Sequence, residues 1–287
     1  MKLTRGKLLE TLRRKNADWT TYQARKVAGI SVRRVNQVYS EYLKTGEIPE
    51  IGTKIGRPKK EFTDEEKNMV KQAFEKYKVS ASTLMKLIEK DCGFHINHNR
   101  VHSIMIELGF AKSKDKKDIR KKDWIRYERR HSLTAVHIDW HFDSKTRIWV
   151  FAVIDDASRK LLALLEVESP ITEQSIYGMK LAMRHGRIRQ CISDHGSQFI
   201  SNLGGESKFV EFLKENSIQQ ILCKIKHPQS NGKVEKFFDL YNTKRHLFST
   251  KEEFETWYNE IRPHRSLNFE VLETPHQAFI RKMKAEA

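Results

Sequence analysis

Three β-rich runs follow one another closely from residue 134, and this change of pattern constrains the fold more than any other feature. Polar turns separate the runs, which cover residues 134–141, 147–154 and 161–167. Runs so closely spaced predict an antiparallel meander. Helices and strands then alternate, with helices predicted over 172–184, 206–216, 231–246 and 251–261 and strands over 189–193 and 219–225. This order predicts a layered α/β core behind an all-α N-terminal part.

The first 130 residues carry most of the positive charge of the chain. They hold 32 of its 54 Lys and Arg and 17 of its 37 Asp and Glu, a net +15 that leaves only +2 of the total +17 for residues 131–287. Nucleic acid is the expected partner of so basic a segment. A membrane surface is the alternative, but no basic helix with a Trp/Phe face supports it. The longest apolar stretch, residues 148–154, is far shorter than the roughly 18–20 residues of a membrane span.

Residues 1–48 predict a helix-turn-helix domain. Gly29 interrupts a helical pattern, and Ser31 can cap the helix that follows. This third helix would expose side chains suited to phosphates and to base edges in the major groove, namely Arg33, Arg34, Asn36 and Gln37. A small helical bundle with a solvated polar face is the structural alternative.

Residues 49–61 predict a basic linker, because Gly and Pro recur at short intervals. Within it, the sequence GRPKK resembles an AT-hook core, in which an extended Arg-Pro lies in a narrow minor groove. Arg57, Lys59 and Lys60 would then contact DNA. A plain basic linker explains the same residues equally well.

A second helix-turn-helix domain is predicted over residues 62–110, and a basic connector over 111–131. Thr63 and Glu66 form a capping box, and Asn97 can cap a helix on which Asn99 and Arg100 are candidate DNA contacts. The same unit contains possible zinc ligands, namely Cys92, His95, His98 and His102. Packing of the turn around Phe94 and Ile96 is the favoured explanation of that cluster. The chain has three cysteines, with no CxxC pair, which is typical of a reducing cytosol.

Three carboxylates in the predicted core, residues 132–287, lie where active sites assemble. Asp139 ends the first predicted strand, Asp194 follows the fourth, and Glu235 opens a long helix. Side chains at strand ends project from a rigid sheet into a cleft. Carboxylates gathered in one cleft repel each other, and their oxygen atoms suit Mg²⁺ or Mn²⁺. Two such ions can assist an in-line phosphoryl displacement.

The surroundings of these carboxylates resemble the D,D,E core shared by retroviral integrases and the transposases of bacterial and archaeal insertion sequences. The motifs are SDHGSQF around Asp194, HPQSNGKVEKF around Glu235, VIDDASRK after the second strand, and YNEIRPHRSL with TPHQAF near the C-terminus. The resemblance extends over most of the second half of the chain.

This resemblance implies an RNase H-like fold and a DNA transposase that cleaves 3′ ends and transfers strands. Asp139, Asp194 and Glu235 would be the catalytic residues and the ligands of two Mg²⁺ or Mn²⁺ ions. The helix-turn-helix units would recognise terminal inverted repeats, since phosphate contacts alone carry no sequence information. The expected partners are double-stranded DNA, as transposon ends and target, and at least one further copy of the chain. We expect it in the prokaryotic cytoplasm, associated with the nucleoid. A non-catalytic DNA-binding regulator with a retained core is the alternative, and a simple nuclease a third possibility.

Two departures from the family pattern concern the loop after the fourth strand. Between Asp194 and Glu235 lie 40 residues, where 35 are usual, and we assign the extra ones to residues 202–208. His195 stands where the family commonly has Asn. Neither departure removes a proposed ligand.

Other polar residues near the carboxylates compete with these assignments. Asp239 lies one helical turn beyond Glu235 and is the main rival as third ligand. Asp155 and Asp156 are interpreted as structural, or as residues that support the metal ligands from behind, and Asp143 as a hairpin-turn residue. The lysines that flank the glutamate, Lys233 and Lys236, are expected to hold DNA phosphates, with a solvated helix face as the alternative.

Overall fold

The computed structural model describes residues 3–50, 61–113, 127–200, 205–223 and 231–283. The chain divides into two compact units, Met1–Glu61 and Phe62–Ala287. The predicted AT-hook residues Arg57, Lys59 and Lys60 lie outside the described residues, as do most of the connector and part of the 202–208 segment. Within the described ranges, no helix has the length and apolar character needed to span a bilayer.

The first unit consists of three capped helices. They are α1 (Arg5–Asn16), α2 (Thr21–Ala28) and α3 (Val32–Thr45). Ser31 accepts a hydrogen bond from the backbone of Arg34, and Gly29 ends α2 with a φ of 67°. That left-handed conformation favours glycine. The predicted helices are therefore confirmed, whereas a DNA-binding role for them stays a prediction.

Three further helices belong to the second unit and share its main hydrophobic cluster. They are α4 (Asp64–Tyr77), α5 (Ala81–Cys92) and α6 (His98–Glu107). The capping box of Thr63 and Glu66 is present. Leu84 and Ile104 are buried in the same cluster as Phe237 of the core, and Trp257 Nε1 donates a 2.7 Å hydrogen bond to the carbonyl at the end of α4. These helices are thus packed into the core rather than standing apart from it.

A five-stranded mixed sheet forms the centre of the second unit. Its strands are β1 (Ala135–Asp143), β2 (Ile148–Asp155), β3 (Leu161–Val167), β4 (Gln190–Ser193) and β5 (Gln219–Leu222). The spatial order is β3-β2-β1-β4-β5. The first three strands are antiparallel neighbours, as the meander predicted, and β4 and β5 run parallel to β1. The predicted mixed α/β class is confirmed.

Helices cover both faces of this sheet. They are α7 (Thr172–Met183), α8 (Lys208–Glu215), α9 (Gly232–Lys244), α10 (Lys251–Thr256) and α11 (Pro275–Arg281). Helices α7 and α8 pack on the face that carries Ile138 and Phe151, and α9 and α10 pack on the opposite face with the cluster that includes Leu84. A five-residue π-helical turn, Trp257–Ile261, extends α10.

Strand β1 is longer than the sequence predicted, so Asp139 does not end it. Asp139 lies in the middle of β1, paired with Ala152 of β2. The strand continues because β2 pairs with it as far as Asp143, whereas β4 pairs with β1 only as far as His137. Asp139 therefore lies just past the end of the neighbouring parallel strand, where one edge of β1 is free.

Candidate active site

Strand register brings two of the three predicted carboxylates to one level of the sheet. The pairing of β1 with β4 ends at His137 and Ile192. Two residues further along, the same register places Asp139 beside Asp194. The pairing of β4 with β5 ends at Ser193 and Leu222, so the next step places Asp194 beside Cys223. The carboxyl ends of β4 and β5 thus lie at the level of Asp139 in the middle of β1. Sites of α/β proteins assemble at the carboxyl ends of parallel strands.

Helix α9 brings the third carboxylate to the same face of β1. Alternate residues of a strand share a face, so His137, Asp139 and His141 point the same way. His141 Nε2 lies 2.9 Å from Asn242 Oδ1 of α9, and its ring stacks on Phe238 at 4.9 Å. Helix α9 therefore lies along this face. Glu235, in the first turn of α9, is exposed near the same edge.

The electrostatics of Asp139 reflect both other carboxylates. Burial first, and then the charges of Asp194 and Glu235, raise the pKa of Asp139 to about 7. The thiol of Cys223 experiences the same charges, since burial and then Asp194, Asp139 and Glu235 raise its pKa to about 11. The charges of Asp194 and Glu235 thus act against ionisation of Asp139, and a bound cation would offset that repulsion.

The turn after β4 holds Asp194 through the backbone. Asp194 Oδ1 accepts a 2.9 Å hydrogen bond from the Gly196 amide. A Cβ at Gly196 would lie 3.0 Å from that same oxygen and 2.7 Å from Gln198 Oε1, so a glycine suits this position. His195 Nε2 donates to the Cys223 carbonyl at 2.9 Å, which ties the turn to the residue after β5. The His that replaces the common Asn thus has a structural partner.

A buried chain of hydrogen bonds ends on Asp139. Asn231 Nδ2 donates to Asp139 Oδ2 at 3.0 Å and lies 3.4 Å from the Ile138 carbonyl. Asn231 Oδ1 lies 3.2 Å from His137 Nδ1, and His137 Nε2 lies 2.7 Å from Asp156 Oδ1. Asn231 and His137 were not predicted as site residues. Asn231 is part of the HPQSNGKVEKF motif, but only the fold shows what it holds.

The carboxylate at the far end of that chain is fully buried. Asp156 accepts a 2.6 Å hydrogen bond from the Arg129 amide and contacts the Lys233 ammonium. Burial opposes its ionisation, yet hydrogen bonds from His137 and Lys233 hold the pKa of Asp156 well below its usual range. Asp155 accepts from the backbone of Leu133 and from Ser158. These contacts agree with the structural interpretation of both residues.

The lysines that flank Glu235 have different surroundings. Lys233 is largely buried, contacts Asp156 and lies 4.6 Å from the centre of the Tyr127 ring. Lys236 is exposed and pairs at 2.6 Å with Asp239, which is also exposed. Asp239, the rival third ligand, is therefore engaged with a cation, whereas Glu235 is among the charges that act on Asp139.

The predicted DNA contacts on the N-terminal helices differ in their surroundings. In α3, Arg33 is exposed, Arg34 donates to Gln37 at 2.8 Å, and Asn36 Oδ1 accepts from Thr21 Oγ1 of α2. In α6, Asn99 is exposed, while Arg100 donates two hydrogen bonds of 2.6 Å each to the carboxylate of Glu66. Asp143 accepts from Lys145 and Thr146, as expected of a hairpin-turn residue.

The donor set at the edge suits a hard divalent ion. Across the described ranges, no group of three His, Cys, Asp or Glu side chains is placed to hold one ion jointly. Mg²⁺ commonly binds through only one or two carboxylates, with water and substrate phosphate completing its shell. Asp139, Asp194 and Glu235 are the residues that could hold such ions, and the raised pKa of Asp139 fits a site that needs added positive charge.

Comparison with known proteins concerns this part of the chain. Residues 129–228 match the family model described as the integrase core domain. This part of the chain is therefore similar to the integrase core domain. Both Asp139 and Asp194 lie within the match, and Glu235 lies seven residues beyond its end.

Two curated relatives and one solved structure show how far this likeness extends. A putative integrase, ORF3 of Spiroplasma virus SpV1-C74, is 32% identical over 148 residues, which cover 45% of this chain and 38% of that protein. The transposase for an IS21-like insertion sequence element of Bacteroides fragilis is 33% identical over 97 residues, which cover 31% of this chain and 19% of that protein. The chain spans less than two fifths of these relatives. The crystal structure of the catalytic core domain of BIV integrase is 13% identical, with a TM-score of 0.42, and covers 52% of this chain and 95% of that one.

Proposed function

We propose that the chain is a DNA transposase of the insertion-sequence type that cleaves 3′ ends and transfers them to target DNA. One observation carries this proposal: where β4 and β5 end beside β1, burial and then the charges of Asp194 and Glu235 raise the pKa of Asp139. The three carboxylates thus share one electrostatic environment, although 40 residues of sequence separate the last two.

Asp139 and Asp194 would hold one Mg²⁺ or Mn²⁺ ion together, and Glu235 would contribute to a second. When bound, such ions supply Lewis acidity and positive charge at a phosphodiester. The chain itself positions the ligands: β1 supplies Asp139, the turn at Gly196 fixes Asp194, and Asn231 holds one oxygen of Asp139. Pairs of carboxylates suffice for ions of this kind.

The same carboxylates would serve two successive displacements. In the first, water attacks a phosphodiester at a transposon end and a 3′-OH is released. In the second, that 3′-OH attacks a phosphodiester of target DNA, and the displaced strand leaves with its own 3′-OH. The bonds broken and formed are alike in both steps, so neither ATP nor a covalent enzyme intermediate is needed.

Recognition of the terminal inverted repeats would fall to the N-terminal helices, with exposed Arg33 of α3 and Asn99 of α6 as candidate contacts. Assembly of at least two copies on DNA would bring two ends together. This action on DNA would take place in the cytoplasm of a prokaryote. A regulator that binds the same DNA without cutting it is the rival proposal.

A strand-transfer assay with Mg²⁺ and DNA that carries the element's ends tests the proposal. The Asp139→Asn variant should lose joining while it still binds DNA. Asp143→Asn is the matched control on the same strand, because Asp143 serves the hairpin turn. Joining by Asp139→Asn at the wild-type rate would contradict the assignment, and absence of metal-dependent nicking by the wild type would favour the regulator.

A further inference from the structure

A cavity of about 400 Å³ lies between helices α5 and α9 and the segment after α10. Its lining contains several basic side chains, namely Lys78, His102, Lys112, Lys244, Arg262 and Arg265. The described residues contribute neither Asp nor Glu to it. A cavity wall of one sign concentrates its electric field and attracts an ion of opposite charge.

Two of these cations are half-buried, and no carboxylate among the described residues forms an ion pair with either of them. Lys244 Nζ lies 5.0 Å from the centre of the Phe74 ring, and burial followed by the charge of Arg262 lowers its pKa. Arg262 lies over the rings of Tyr258 and Trp257, at 5.4 and 6.0 Å, and burial lowers its pKa as well. Half-buried charges of equal sign destabilise a fold unless something neutralises them.

Arg262 also has an unmet hydrogen-bonding requirement. Its Nη1 atom is fully buried, and the described residues offer it no acceptor. Buried polar atoms in native proteins nearly always have a partner, so an atom without one needs an explanation. An anion in the adjoining cavity could satisfy the charge that Arg262 carries.

The N-terminus of α5 faces the same cavity. Ser80, its N-cap residue, and Ala81 and Thr83 of the first turn line the cavity. The side chain of Ser80 does not cap the helix, unlike those of the N-cap residues of α4 and α6. Free amides and the positive end of the helix dipole at an N-terminus favour a phosphate.

A second cavity adjoins the first along helix α9. It is lined by Lys233 and Lys236, which flank Glu235, and shares Thr243, Arg262 and Arg265 with the first cavity. Eight residues of α9 lie between Glu235 and Lys244, a rise of about 13 Å along the helix axis or about four base-pair steps of a duplex. Basic side chains of α9 thus extend from beside Glu235 to the cavity, with Asp239 the one acidic side chain among the described residues that line the second cavity.

We propose that the cavity at Lys244 and Arg262 binds a phosphodiester group of DNA, about four nucleotides from the bond that is cut. This inference rests on the proposed function, because DNA is the polyanion that reaches both places. Binding at this position would hold the strand that leads away from Glu235 and would neutralise two half-buried cations.

The test compares Lys244→Gln with Lys180→Gln in the full chain. Lys180 is a matched control because it also lies on a helix of the core near a Phe ring, 5.8 Å from Phe212, yet lines neither cavity. Duplex DNA affinity is measured at several salt concentrations. Loss of one phosphate contact should lower the slope of log affinity against log salt by about 1 for Lys244→Gln only.

The DNA-free melting temperature of Lys244→Gln should equal or exceed that of the wild type, because a repelling charge is removed.

An unchanged salt slope, or a lower melting temperature in Lys244→Gln, would overturn the inference. Inorganic phosphate is the second probe. If it raises the melting temperature of the wild type but not of Lys244→Gln, and the DNA slopes are equal, the cavity takes a small phosphate and the DNA assignment is wrong. Joining activity separates this outcome from the proposed function. If the wild type joins strands but its salt slope equals that of Lys244→Gln, only the cavity assignment is wrong. If the wild type does not join strands but the salt slope of Lys244→Gln is lower, only the transposase assignment is wrong.

Discussion

At the scale of single residues, Asn231 connects the acidic edge with the buried interior. Its amide nitrogen holds Asp139, and its amide oxygen meets His137, which in turn meets Asp156. A metal ligand that is hydrogen-bonded to such a partner keeps its orientation when no substrate is bound. Loss of such a partner commonly lowers metal affinity or activity by about 10- to 100-fold.

Replacing Asn231 by Ala should therefore reduce strand transfer by about 10- to 100-fold and raise the Mg²⁺ concentration needed for half-maximal joining. The shift in Mg²⁺ requirement distinguishes positioning of Asp139 from a general loss of stability. Asn242→Ala is the control, since Asn242 lies on the same helix but meets His141. Equal Mg²⁺ requirements for the two variants would contradict the positioning role.

The raised pKa of Asp139 predicts a dependence of stability on pH. Its pKa is about 7 in the fold, against 3.8 for the free side chain, so the folded state holds this proton more tightly than the unfolded state. The stability it contributes is complete below pH 3.8 and is lost as the pH rises through 7. Metal-free wild type should lose stability between pH 4 and 8 relative to Asp139→Asn, by an amount on the order of 2 kcal/mol.

Thermal unfolding in EDTA across that pH range measures this difference. The melting temperature of Asp139→Asn minus that of the wild type should grow towards pH 8. Addition of Mg²⁺ at pH 8 should reduce the difference, because only the wild type retains the full ligand set. A difference that stays constant with pH would show that Asp139 is an ordinary surface carboxylate.

At the scale of elements, close packing of α7 on the sheet supports the strand that carries Asp139. Gly178 of α7 faces Phe151 of β2, and a Cβ there would lie 2.4 Å from the ring and 3.3 Å from Leu165 of β3. Phe151 is fully buried and pairs across the sheet with Trp140, the neighbour of Asp139.

Gly178→Ala should lower the free energy of unfolding of the second unit by about 1–3 kcal/mol through overpacking. Gly6→Ala is the control. Gly6 lies in helix α1 with nothing within 4 Å of the added Cβ, so alanine there should be neutral or slightly stabilising. Denaturant unfolding followed by Trp fluorescence measures both. Equal unfolding midpoints for Gly178→Ala and the wild type would mean that α7 can move away from the sheet without destabilising the fold.

The sequence predicted elements better than it predicted their ends. Periodicity located every strand, and capping residues such as Thr63 and Ser31 located helix starts, because both signals are local. The end of β1 depends on how far β2 pairs with it, which is not local, so Asp139 was wrongly placed at a strand end. The site shows the same limit. The motifs indicate Asp194 and Glu235, but only the register of β4 and β5 shows that Cys223 lies beside Asp194.

At the scale of the whole molecule, the boundary between the units changes how the charge is divided. Residues 1–61 hold 15 Lys and Arg and 6 Asp and Glu, a net +9, which leaves +8 for residues 62–287. The second unit thus retains substantial positive charge next to its acidic edge. A cut at residue 130 would also remove α4–α6 from the hydrophobic cluster they share with the core.

Removal of residues 1–61 should lower the salt dependence of DNA binding and weaken the preference for the element's ends, because the contacts of α3 are lost while Asn99 of α6 remains. Nicking of DNA in the presence of Mg²⁺ should persist, because the carboxylates and the helices packed on the sheet remain. Binding to end and random duplexes at several salt concentrations provides the comparison. Retained preference for the ends in the shortened chain would place recognition in residues 62–287.

The central claim is that three carboxylates from β1, the end of β4 and the start of α9 act as one centre. Strand transfer by Glu235→Gln, measured with Mg²⁺ beside Asp239→Asn, tests it most directly, since both acids lie one turn apart on α9 and Asp239 is paired with Lys236. We expect Glu235→Gln to lose joining by at least about 1,000-fold, roughly the loss of a main electrostatic contribution to catalysis. We expect Asp239→Asn to join strands nearly as the wild type does. Joining by Glu235→Gln at the wild-type rate, with loss in Asp239→Asn, would contradict the account.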